Sequence, residues 1–440
     1  MKQSRSGVTP KGPRLLRSAR NDVGRKPSLT LLAAMTALAF SALHIVLPAL
    51  PILTAAFDEG PARVQLVVTL FLAGIAAGQL FYGPISDRFG RRPVLIAGLL
   101  LFLAGTLLCG VAWSLPVLIV GRVFQALGAC AGIVLGRAII RDVYDREAAA
   151  RGLAIVMMAM TLVPGVSPAI GAYLAEWIDW RAIFAVLGVL GAAVLALVAA
   201  RLPETNPTPA RLDLVGMARA YVTLARSPEY AAFAVCGACS SASWFTFCAS
   251  APYVLSELLH EPASTYGLMI LLPMATYMLG NGLAARLASR VGSLRLVLAG
   301  RALAFAAALG MAAWWWFGGL SIWVLFVPIM FTSIGDGLSQ PAAMASGLSV
   351  YPRLAGTASG LMGFLQMAIA ALGTITVAAL PHDSALGLIA VVGGFIVVAF
   401  AAGIAGIALS RGGRQILRAS GAPAVENTAG NLRQVREDSA

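Results

Sequence analysis

Four polar side chains stand in stretches that are otherwise apolar: His44 in SALHIVLPALP, Arg122 and Gln125 in LIVGRVFQALGACAG, and Asp336 in SIGDGLSQP. A charge at the centre of a hydrocarbon layer costs several kcal/mol, from about 2.5 upward, so such groups are read first as proton or substrate sites. Of the 19 acidic residues, Asp336 is the one well inside an apolar run. It is the main proton candidate, because burial favours the protonated form of a carboxyl group. Arg122 offers a fixed positive charge with Gln125 one helical turn on, and His44 offers a group that ordinarily titrates near pH ~6.5. Each has a structural alternative: Asp336 bonded to the hydroxyls of Ser333 and Ser339 or to a backbone amide, Arg122 paired with helix carbonyls, His44 a satisfied core residue. No nucleophile triad, paired carboxylates or metal cluster accompanies them, so the expectation is no enzyme, no metal and no cofactor. Cys109, Cys130, Cys236, Cys239 and Cys248 lie in apolar runs away from any oxidising loop, and Cys236-x-x-Cys239 lacks a second ligand pair.

The elements that must position these groups are membrane helices. Of 440 residues, 59% are hydrophobic and only 12% charged, with a mean hydropathy of +0.83. A run of about 20 apolar residues at about 1.5 Å each crosses the roughly 30 Å of a bilayer core. Twelve are read: 28–49, 64–83, 93–112, 115–136, 152–174 and 182–200, then 230–254, 264–285, 295–317, 321–349, 355–379 and 385–409. The first follows a basic segment like that of a signal peptide, but its apolar part is too long, so it is read as a retained helix.

A polar stretch, 201–229, divides the chain six plus six, and RFGRRPVLIAG at 88–98 returns partly as RVGSLRLVLAG at 290–300. The expected fold is an all-α integral membrane protein of twelve transmembrane helices in two six-helix pseudo-symmetric halves. The divisions are a basic N-terminal segment 1–27, a half 28–200, a linker 201–229, a half 230–410 and a disordered tail 411–440.

The net charge of +13 is not spread evenly. With twelve crossings nearly every Lys and Arg falls on one face; the opposite face holds Arg63 and Arg181, while Arg122 and Arg301 lie within spans. That bias follows the positive-inside rule, places both termini in the cytoplasm, and makes the basic charge a report of topology instead of nucleic-acid binding.

Where the second span ends, GQLFYGPISDRFGRR combines Gly83 and Pro84, which permit close approach and a bend, with Asp87, Arg88, Arg91 and Arg92. A topology anchor needs the arginines but neither Asp87 nor Gly83 at this spacing. The stretch resembles the signature loop of the major facilitator superfamily, G-x-x-x-D-R-x-G-R-R, matched by Gly83, Asp87, Arg88, Gly90, Arg91 and Arg92. The resemblance implies a conformational clamp that ties the cytoplasmic sides of the halves in the outward-open state. Arg122 and Gln125 resemble the superfamily's R-x-x-Q-G-x-G motif in its Bcr/CflA form, with Ala126, and that implies a part in proton coupling. Pro164, Gly165, Pro168 and Gly171 resemble the antiporter motif, which implies export; Ser167 and Ala172 replace two of its glycines, as in that branch.

Aligned on Leu47-Pro48-Ala49-Leu50-Pro51, His44 takes the place of the aspartate in the D-M-Y-L-P-A-L-P stretch of Bcr/CflA proteins and phenicol exporters. In that branch the aspartate is implicated in substrate and proton binding. The exchange to His44 beside Arg122 disfavours cationic drugs and leaves neutral or anionic ones tolerated. Trp244, Phe245, Phe247, Tyr277 and Gln366 are candidates to line an apolar cavity, and Gly356, Gly360 and Gly363 to serve helix packing.

The resemblance implies efflux of small amphipathic drugs, phenicols among them, across the bacterial inner membrane by alternating access, driven by the proton-motive force with no cofactor, with small molecules, protons and lipid as partners and one chain as the working unit. Export of an endogenous metabolite, siderophore or peptide on the same scaffold stands as the alternative. A membrane sensor is disfavoured by the short tails.

Overall fold

A computed structural model of the chain describes residues 27–206, 214–381 and 384–410. The basic N-terminal segment up to residue 26, the middle of the linker and the tail 411–440 lie outside the described residues. In the first half the long helices are α1 (Leu29–Phe57), α2 (Pro61–Phe89), α3 (Arg91–Gly110), α4 (Leu115–Val143), α5 (Arg146–Trp177) and α6 (Arg181–Arg201). The second half has α7 (Pro228–Leu258), α8 (Ala263–Val291), α9 (Ser293–Gly318), α10 (Ile322–Val350), α11 (Pro352–Ala378) and α12 (Leu386–Leu409). Eleven of these are long and apolar enough to cross a membrane on length and hydropathy. With α5, a continuous helix of 32 residues, they give the expected twelve.

The two halves repeat one packing scheme. In the first, α4 packs on α2 and α3, α6 on α3 and α5 on α1; in the second, α10 packs on α8 and α9, α12 on α9 and α11 on α7. The sequence echo falls at equivalent turns: Gly90 between α2 and α3 has φ +93° and Gly292 between α8 and α9 has φ +87°, a conformation that L side chains rarely adopt. Between the halves, α2 meets α11 and α5 meets α8.

Several boundaries differ from the sequence expectation. The first span does not end at 49: LPALP makes a 3-10 turn over Leu47–Ala49, and the helix resumes as Leu50–Phe57. Proline lacks an N–H to donate, which an initiating turn tolerates, so Pro48 and Pro51 break the helix without ending it. Arg137 and Arg141 are not in a loop but in the last turns of α4, and α5 begins where the Asp145 carboxylate accepts from the Ala148 amide. Hydropathy marks the hydrocarbon layer, whereas the backbone stays helical until a cap or a breaker stops it. The linker is likewise not wholly irregular, because Leu214–Ala225 is a helix.

Candidate functional site

Buried polar groups of the first half gather on α4. The Arg122 side chain is fully buried; its Nη1 donates to the Ala42 carbonyl of α1 at 2.8 Å and to Gln125 Oε1 at 2.5 Å. Its Nε points at the Val67 carbonyl of α2 at 3.4 Å, and its Cζ lies 4.0 Å from the Phe71 ring centroid. Gln125 is thereby spent inside the half, because its Nε2 donates to Thr106 Oγ1 of α3 at 2.8 Å. Among the described residues Arg122 Nη2 has no hydrogen-bond partner.

His44 is also buried, with Nδ1 donating to the Phe40 carbonyl at 2.9 Å. A carbonyl only accepts, so this bond fixes the proton on Nδ1 and leaves Nε2 as a bare lone pair without a partner. The ring faces α7 of the other half, 5.8 Å from the Phe245 ring. His44 on α1 and Arg122 on α4 are thus held by different neighbours, the one against Phe245 and the other against Phe71 and the α1 backbone.

In the second half the Asp336 carboxylate is neither free nor held by Ser333 and Ser339. Its Oδ1 accepts from Arg301 Nη2 of α9 and, at 2.8 Å, from Ser240 Oγ of α7. Ser339 serves the arginine instead, accepting from Arg301 Nε at 2.8 Å. A buried ion pair with further hydrogen bonds on both partners is stable only intact, and removing one side costs about 3–5 kcal/mol. Beside it, Tyr277 donates to Gln340 Oε1 at 3.0 Å, and Gln340 Nε2 donates to Ser241 Oγ at 2.9 Å, which links α8, α10 and α7.

The clamp residues form a charge relay. Arg91 lies 2.5 Å from Asp87 at the end of α2 and 2.9 Å from Asp142 at the end of α4. The backbone amides of Arg91 and Arg92, first in α3, donate to the Glu204 carboxylate at 2.9 and 3.1 Å, which caps that helix N-terminus. Asn206 Nδ2 donates to the Asp87 carbonyl at 2.9 Å, and Arg92 Nη2 to the Ala199 carbonyl at 2.8 Å. Arg88 is exposed, its guanidinium over the Phe89 ring. Gly83 makes no close approach, since a Cβ there would meet nothing within 4 Å. Among the described residues, every ion-pair and hydrogen-bond partner of the clamp belongs to the first half or the linker's first residues, so in this conformation it is unlatched from the second half.

On the opposite face the halves are closed on each other. Thr69 and Thr374 hydroxyls are 2.7 Å apart, Gln65 Nε2 donates to Ser250 Oγ at 3.3 Å, and the Ser264 amide at the start of α8 donates to Glu176 of α5 at 2.7 Å. The small residues of α5 make that seam possible. Gly165 faces Met274 of α8, Gly267 of α8 approaches Ala169 and the Pro168 carbonyl, and a Cβ at Gly171 would collide with the Ile45 carbonyl of α1. Pro164 is buried in the same helix. On the α2–α11 seam, Gly363 lies against the Gln79 side chain.

The cavity candidates separate. Phe245 lies at the interface of the halves and Gln366 lines a small cavity with Gly237, Gln340 and Met344. Trp244 is half-buried, 6.3 Å from Phe247. Phe247 is core, edge-on to Phe326 of α10 at 5.4 Å; at about 100° per residue, positions two apart face different ways. Sequence reasoning missed Arg301 as the partner of Asp336, and Glu204 and Asp142 as parts of the clamp. The one available signal was Arg301 itself, a lone charge within an apolar run.

The family model of the Major Facilitator Superfamily matches residues 29–374. The chain belongs to this superfamily. It is 29% identical over 374 residues to Multidrug resistance protein D of Escherichia coli K12, covering 84% of this chain and 93% of that protein. It is 30% identical over 372 residues to the Chloramphenicol resistance protein of Pseudomonas aeruginosa, covering 81% and 85%. Among solved structures it is similar to a D-xylose-proton symporter, with TM-score 0.68, 16% identity and 84% and 95% of the two chains covered. A bacterial homolog of the human lysosomal transporter Spinster, solved inward-facing and unoccupied, gives TM-score 0.68 at 16% identity over 91% and 98%. Both structures share the fold of the present chain.

Proposed function

We propose that the protein is a drug:proton antiporter that exports small amphipathic compounds, phenicols among them, by alternating access. The observation that carries this reading is the set of buried ionisable groups inside the two helical halves, with His44 turned to the interface between them, on a chain similar to multidrug and chloramphenicol resistance proteins. Its place is the bacterial inner membrane with both termini cytoplasmic, its partners are small molecules, protons and lipid, and a single chain is the working unit. In this reading Asp336 takes the proton. Protonation cancels its attraction for Arg301 and leaves a buried guanidinium without its counter-ion, a large lever on helix packing between α7, α9 and α10. Arg122, Gln125 and His44 form the substrate side.

The test is export of chloramphenicol and florfenicol from a pump-deficient host, with and without a protonophore, for wild type, Asp336→Asn and His44→Ala. Protonophore-sensitive export that Asp336→Asn abolishes is the expected result. Drug handling equal to empty vector at matched protein levels overturns the drug reading in favour of an endogenous metabolite.

A further inference from the structure

We infer that the substrate site is built for an amphipathic organic anion, with the anionic oxygen received by Arg122; this rests on the transport reading above. Arg122 is fully buried, tied by Nε and Nη1 to backbone carbonyls and Gln125, and left with Nη2 unpartnered. A buried donor of a charged group without an acceptor is costly, and no protein carboxylate pairs with Arg122 among the described residues. An incoming anion supplies both the missing acceptor and the missing charge.

The approach along α4 has the same sign. Arg137 and Arg141 are one turn apart, and neither has a carboxylate within 4.0 Å among the described residues. Arg137 Nε donates to its own helix at the Ile133 carbonyl. Arg141 is exposed and reaches the second half, its Nη1 3.7 Å from where a Cβ on Gly356 of α11 would sit. On this face, Asp87 and Asp142 are both taken by Arg91. Farther in, Asp336 is taken by Arg301. Among the described residues, α4 therefore carries Arg141, Arg137 and Arg122 in succession with no carboxylate paired to any of them. Such a path raises the local concentration of anions and repels cations. Facing His44 across the interface, the Phe245 ring suits an apolar body, and the bare His44 Nε2 accepts from a hydroxyl or amide N–H of the same molecule.

The experiment uses the purified full-length chain and three probes on one bicyclic body: 1-naphthylacetate, 1-naphthylacetamide and 2-(1-naphthyl)ethylamine, which are anionic, neutral and cationic at pH ~7.5. Equilibrium binding in detergent and uptake into proteoliposomes are read with each. The acetate is expected to bind about tenfold more tightly than the amide, the margin of a charge-assisted bond to a buried group, and the amine most weakly. Arg122→Gln removes the acetate-over-amide margin. Should that variant fail to fold, Arg141→Ala, at an exposed position, still lowers the acetate-to-amide ratio of uptake rates and flattens its salt dependence. Amine binding equal to acetate, or a ratio unmoved by both variants, overturns the inference. Movement of chloramphenicol and the amide without acetate preference sinks the anion site and keeps the efflux reading; acetate binding with no probe transported keeps the site and sinks efflux.

Discussion

At the scale of single residues, the Arg301–Asp336 pair separates a structural role from a coupling role. Arg301→Met strands the Asp336 carboxylate in a buried setting, and the expected loss of stability is about 3–5 kcal/mol. The double variant Arg301→Met with Asp336→Leu replaces both charges by apolar groups and is expected to regain most of that stability, read as thermal unfolding in detergent micelles. It should nevertheless fail at uphill, proton-driven export while still equilibrating substrate down its gradient. A double variant that pumps as well as wild type removes Asp336 from coupling. The sequence exposed Asp336 because a lone acid in an apolar run is conspicuous, yet it pointed to Ser333 and Ser339, its neighbours along the helix. The true partners, Arg301 and Ser240, come from α9 and α7. Spacing along one helix states which residues share a face and says nothing about which helix that face meets.

At the scale of elements, the glycines divide by what a methyl group would strike. At Gly171 it would strike the Ile45 carbonyl, a backbone atom in the 3-10 break region of α1 that cannot swing aside. Gly310, on α9, has nothing within 4 Å. Gly171→Ala is therefore expected to lower stability by about 1–3 kcal/mol through forced separation of α1 and α5. Gly310→Ala should be neutral or stabilising by up to about 1 kcal/mol, since alanine is the better helix former. Thermal unfolding of the two variants side by side checks this, and equal melting would deny that α5 needs its small residues for close approach. The clamp offers a second case. Glu204→Gln keeps the shape but removes the charge from the α3 N-terminus, and the expected loss is about 0.3–1 kcal/mol with a slower transport cycle. Helix number and order were legible because a bilayer demands long apolar runs. Helix ends were not, since α4 and α5 continue beyond hydrocarbon and α1 passes through LPALP.

At the scale of the whole molecule, the clamp is unlatched from the second half while the opposite face is closed, so the conformation is one end of a rocking cycle. The polar closing contacts include Thr69 with Thr374, Gln65 with Ser250, Thr54 with Tyr253 and Glu176 with the Ser264 amide, and a rigid-body motion has to break all of them to open that face. Because each is a modest bond of about 0.5–1.5 kcal/mol, the closed face is held by their sum and by the α5–α8 packing, well within reach of the protonation and binding energies of one cycle. A covalent bond there is not. The Thr69 and Thr374 hydroxyls are 2.7 Å apart, so cysteines at these positions are close enough to bridge. The native thiols Cys109, Cys130, Cys236, Cys239 and Cys248 are free, so each is replaced by alanine in the test background, which leaves the new pair as the one to read. Oxidised Thr69→Cys with Thr374→Cys is expected to stop transport while substrate binding from the clamp side persists, and reduction is expected to restore turnover. Full transport by the cross-linked protein would mean that α2 and α11 never part at this level, and that the pathway out lies elsewhere than between the halves.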